Sequence, residues 1–83
     1  MTLPVGGAYT VMVSATYFSL QDYATTLYLD GAGVKTIYGA NSDTGGADQN
    51  TIQTVISSVG GGAHTWALSR GSEWQFNWIA IRN

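Results

Sequence analysis

The sequence predicts an all-β fold, a small antiparallel β-sandwich of jelly-roll-like type with about six strands. Three observations predict it. Apolar residues recur with a period of two nearly everywhere, and no window carries a helical period. Gly, Thr, Ser and Asn are abundant while Glu and Lys are scarce, a composition poor in helix formers. Clusters of turn-forming residues interrupt the apolar runs at short intervals.

The elements follow in order. The opening "MTLPVGG" reads as a linker, and residues 8–83 as a single sandwich domain. Residues 8–20 form the first strand, with Tyr9, Val11, Val13, Ala15 and Tyr17 on one face and Thr10, Met12, Ser14 and Thr16 on the other. Phe18 breaks the alternation, which predicts a bulge or bend. Residues 25–29 form the second strand, with Leu27 and Leu29 facing in. "DGAG" then turns the chain, because Asp-Gly accepts the positive φ angles of a tight hairpin. Residues 34–39 make the third strand and 50–59 the fourth, ended by the glycine triplet at 60–62. Residues 63–69 make the fifth, with His64, Trp66 and Leu68 on one face, and 74–82 the sixth. The closing "WQFNWIAIRN" is apolar on both faces: Trp74, Phe76 and Trp78 share one, Ile79 and Ile81 the other. Either a bulge near Trp78 brings both sets onto one core, or the strand is covered on both sides.

Size and charge narrow the function classes. A domain of 83 residues buries only about 60% of its unfolded surface, so it needs a disulfide, a metal or association. There is no cysteine, which removes disulfides and thiolate zinc sites and leaves association. Charged residues are 10% of the chain, against about 25% in an ordinary domain. Lys35, Arg70 and Arg82 are the only basic residues, too few to track phosphates or to hold an anionic membrane surface. No apolar run approaches the roughly 20 residues of a membrane helix, so no membrane insertion is expected. The pattern suits a fragment or terminal module of a longer protein.

Catalytic chemistry finds little support. His64 is the single histidine, and a general base needs a nucleophile and an orienting group beside it. Asp22, Asp30, Asp43, Asp48 and Glu73 all sit at turns, where Asp is favoured for its backbone bonds. Residues 41–48 offer oxygen ligands but lack the spacing and closing glutamate of a calcium loop. The expectation is therefore no enzyme, no metal and no cofactor.

The aromatic residues, 12% of the chain, are the informative set. So small a sandwich cannot hide all of them, and exposed Tyr and Trp mark interfaces. Tyr9, Phe76, Trp78, Ile79 and Ile81 are the candidate subunit-interface residues. A sugar platform is the competing use, with Trp74 and Tyr38 stacking on a ring and Asn41, Asp43 and Asp48 holding hydroxyls.

The order of motifs resembles the C1q/TNF-like jelly-roll group and, more loosely, the β-sandwich modules that end bacteriophage tail fibres and spikes. "GAYTVMVSAT" is similar to that group's opening strand, "LYLDGAGV" to its hairpin, and "NTIQTVISSVGGGAHTWALSRGSEWQF" to its penultimate block. "WIAIRN" is similar to its last core strand. The chain is shorter than a full domain of that group, and "GAHTWAL" departs from its pattern. The resemblance implies a homotrimeric, non-enzymatic head or trimerisation module on a virion surface that binds a cell-surface glycan. The competing expectation is a monomeric, lectin-like module of a bacterial secreted protein.

Overall fold

A computed structural model describes residues 1–19, 23–38 and 48–83. It contains six strands: β1 (Thr2–Ser19), β2 (Ala24–Leu29), β3 (Ala32–Tyr38), β4 (Asp48–Ala63), β5 (Trp66–Leu68) and β6 (Ser72–Arg82). They form two three-stranded antiparallel sheets, ordered β4-β1-β6 and β3-β2-β5. The small β-sandwich that the alternation predicts is the observed architecture. β2 and β3 form a hairpin, β4 returns beside β1, and β5 and β6 return beside β2 and β1. The molecule is elongated, 49 × 18 × 17 Å, because the long strands β1 and β4 run its length.

The alternation in β1 sets the core. Val11, Val13, Ala15 and Tyr17 are buried toward β2 and β5, where they meet Leu27, Leu29, Trp66 and Leu68. Ile52 of β4 joins them, paired across from Ala15. The β2–β3 turn is Asp30–Gly31, both with positive φ (52° and 81°), joining Leu29 to its partner Ala32. That is the two-residue turn expected from Asp-Gly. The irregularity expected at Phe18 is present: the β1–β6 register shifts between Thr16 and Phe18.

Two expectations about the ends of strands need correction. The "MTLPVGG" stretch is no linker. β1 starts at Thr2, Thr2 and Leu3 pair with Ala63 and Gly62, and Leu3 is buried in the core. The glycine triplet does not end β4, which runs on to Ala63. A Cβ on Gly61 would lie 2.3 Å from the Pro4 carbonyl oxygen and 2.7 Å from Val5 Cα. Glycine there admits a second backbone at close range, and the strand continues through it. β5 is correspondingly shorter than expected, and His64 and Thr65 lie between strands.

Candidate interaction surfaces

The described residues place three features outside the core: the outer face of the β4-β1-β6 sheet, one end of the sandwich, and an Asp–His pair at the β2–β3 turn.

The outer face follows from β6. Its register with β1 is continuous from Tyr9–Arg82 to Thr16–Gln75, with no shift near Trp78 or Ile79. The bulge that would bring both apolar sets inward is therefore absent. Phe76, Trp78 and Ala80 pair with Ala15, Val13 and Val11 on the core side, while Ile79 and Ile81 pair with Met12 and Thr10 on the outside. Met12 also pairs with Val55. Val55, Met12 and Ile79 thus form one apolar row across three strands, and Ile81 lies on the same face. They are 61%, 40%, 62% and 54% exposed. The adjoining row is polar and uncharged: Gln53, Ser14 and Asn77. Together the rows line an open hollow of about 560 Å³.

Of the expected interface residues, Ile79 and Ile81 lie on this face, exposed in the single chain. Trp78 points to the core side but keeps 38% of its surface exposed. Phe76 is half-buried and stacks on Trp66 of its own chain, centroids 6.3 Å apart. Tyr9 is a correction. It is 5% exposed inside its own sandwich, and its hydroxyl donates to the Pro4 carbonyl at 3.0 Å. The early limb of β1 supplies that acceptor, so the phenol needs no partner chain.

The expected glycan residues fall partly at one end. Tyr38 closes β3 opposite Ala24 and is 78% exposed. Next to Ala24, Tyr23 carries the Arg70 guanidinium over its ring at 4.0 Å. Trp74 donates its indole N–H to the Gly71 carbonyl at 3.0 Å and meets Phe76 edge-on. Asp48 pairs with Ser19 at the start of β4, at the same end. Asn41 and Asp43 lie outside the described residues. Tyr23 and Arg70, absent from the expected set, complete this aromatic end. The signal that could have found them is Arg70 on the turn that faces the start of β2.

His64 has a partner at each ring nitrogen. Its Nδ1 is 2.6 Å from Asp30 Oδ2, and its Nε2 is 2.7 Å from the Gly60 carbonyl oxygen. Both neighbours accept hydrogen bonds, an arrangement that favours the protonated ring. The bond to Asp30, then that to Gly60, raises the His64 pKa above its ordinary value. The bond from His64, then the Thr65 amide bond, lowers that of Asp30. Asp30 Oδ1 accepts from the Thr65 amide at 2.8 Å, and the Met1 amine donates to the His64 carbonyl at 2.9 Å. The pair ties the β2–β3 turn to the β4–β5 connection and the start of β1. Among the described residues no cluster of His, Asp and Glu is suited to a metal.

The chain matches no family model, no curated protein and no solved structure.

Proposed function

We propose that the chain is a non-enzymatic structural module, the homotrimeric head or trimerisation unit of a viral (phage) fibre or spike on the virion surface. The carrying observation is the exposed apolar row Val55–Met12–Ile79, with Ile81 beside it, on a sheet face whose paired rows hold no charge. Water contact with such a row costs about 25 cal/mol per Å², and a domain this small has few other reserves. Closed threefold packing removes the face from water without making open polymers, and an obligate interface of this kind resembles a core cut in half. The hollow on this face is a seat for side chains of a sister chain.

Light scattering at micromolar concentration tests the assembly. The expected particle contains a multiple of three chains, and Ile79→Lys removes the factor of three by placing an ammonium in the apolar row. A well-folded monomer of 8.8 kDa overturns it.

The aromatic end supports the binding part of the reading. Tyr38, Tyr23 and Trp74 are exposed, and Tyr23 carries Arg70 over its ring, a set that supports a cell-surface glycan platform on the trimer. Trp74→Ala is expected to weaken binding on a glycan array at least tenfold, equivalent to about 1.4 kcal/mol. Unchanged binding removes Trp74 from the platform. A monomer that still binds glycan favours the alternative, a lectin-like module of a bacterial secreted protein.

A further inference from the structure

Among the described residues the outer edge of β6 is unpaired, and it differs from the sheet edge on the other side of the sandwich. β3 is blunted by Lys35 and by a register shift that leaves Val34 as an extra residue. Those are two of the devices by which edge strands avoid pairing. β6 has neither from Gln75 to Arg82: no proline, no lysine, no bulge, and charge only at Arg82. The sandwich is also asymmetric in closure. β3 packs against β4 along its backbone, whereas β5 and β6 come together through side chains. On the open side Trp66 and Phe76 stack, and Trp78 stands partly exposed next to them.

The backbone pattern shows what the edge offers. The Asn83 amide donates to the Ala8 carbonyl at 2.8 Å. Bonding groups alternate along an antiparallel strand, so the amides of Ile81, Ile79, Asn77 and Gln75 point to β1. Those of Phe76, Trp78, Ala80 and Arg82 point to the open edge.

We propose that β6 pairs antiparallel, edge to edge, with β6 of a second copy, joining two β4-β1-β6 sheets into one continuous sheet. The strand complements itself. A two-fold axis at Trp78 keeps the pairing within the regular stretch and clear of Glu73, whose positive φ (54°) marks the irregular start of β6. It sets Phe76 across from Ala80 and Gln75 across from Ile81, and opposes no two like charges. Faces are preserved across such an axis, so the Trp66, Phe76 and Trp78 rings of both copies meet on the core side and close both open seams. This goes beyond the trimer, since face and edge are separate surfaces. With both in use the particle holds six chains, two trimers joined through β6.

The test uses two single variants and the intact chain. Ala80→Pro removes an N–H that points to the open edge and breaks no β1–β6 bond; proline is tolerated at such edge positions. It is expected to halve the particle mass, while Ile79→Lys leaves dimers. If the face does not associate, the wild type is a dimer and Ala80→Pro a monomer, so the two readings fail separately. Unchanged mass for folded Ala80→Pro overturns the proposal. Amide hydrogen exchange on the wild type covers the case in which the proline variant does not fold. Phe76, Trp78 and Ala80 are expected to be protected as strongly as Asn77 and Ile79 in the assembled protein. Exchange of the first three at open-strand rates, at a concentration where particles persist, overturns it equally.

Discussion

Gly61→Ala tests how the early limb of β1 is held. The added Cβ would lie 2.3 Å from the Pro4 carbonyl oxygen and 2.7 Å from Val5 Cα. Both are backbone atoms, so no rotamer change relieves the clash. The limb of β1 before Ala8 must lift off β4. Leu3, now 3% exposed, then enters water, a loss of about 1.5–3 kcal/mol. The bonds from the His64 amide to the Met1 carbonyl and from the Met1 amine to the His64 carbonyl go with it, each contributing about 0.5–1.5 kcal/mol net. Part of the strain relaxes, so a total of about 2–4 kcal/mol is expected, a fall in Tm of roughly 10–25 °C for a domain of this size. Gly60 is the control, because a Cβ there meets nothing within 4 Å. Gly60→Ala is expected to be neutral or stabilising by about 0.4–1 kcal/mol. Urea denaturation at matched protein concentration measures both, and exchange of the His64 amide reports the lifted limb directly. Equal stability of the two variants refutes the reasoning.

Other expectations follow from the same structure. The Asp30–His64 pair makes stability depend on pH from both sides. The raised His64 pKa contributes stability that is fully present below its ordinary 6.5 and lost as pH rises through the folded value. The lowered Asp30 pKa contributes stability present above 3.8 and lost as pH falls through the folded value. The contribution is therefore greatest between those two pH values. Asp30→Asn, which keeps the turn's positive φ accessible, is expected to flatten the Tm profile above pH 6; parallel profiles for the two proteins refute this. Tyr9→Phe loses the bond to Pro4 and is expected to cost about 0.5–1.5 kcal/mol. The Tyr17 hydroxyl is buried without a partner among the described residues. Tyr17→Phe is therefore expected to be neutral or stabilising in the same denaturation assay.

Local signals were legible and non-local ones were not. The alternation of β1, the Asp-Gly turn and the two apolar faces of β6 are properties of short stretches, and each appears as read. The glycine triplet was read as a break because glycine weakens an isolated strand. Its role is set by Pro4 and Val5, far away in sequence, whose backbone needs the space. Tyr9 shows the same limit: counting aromatics says that some lie outside, but only the fold shows which hydroxyl finds a carbonyl. His64 lacked a visible partner because Asp30 stands 34 positions earlier. At the aromatic end, Tyr38 and Trp74 could be named from exposure arguments, whereas Tyr23 and Arg70 meet only once β2 and β5 pair.

The central place of β1 also fixes an order of events in time. The β2–β3 hairpin needs only its two-residue turn and can close within microseconds. β1 is the first strand synthesised, yet its neighbours are β4 and β6, and β6 is the last of the six to leave the ribosome. Until then the buried side of Tyr9, Val11 and Val13 has an incomplete sheet around it. Closure across so much intervening chain places folding among the slow, non-local β topologies, milliseconds to seconds. A nascent chain halted before Ser72 therefore holds a formed hairpin and a central strand still lacking one flank, the species most exposed to capture by a chaperone or by another nascent chain.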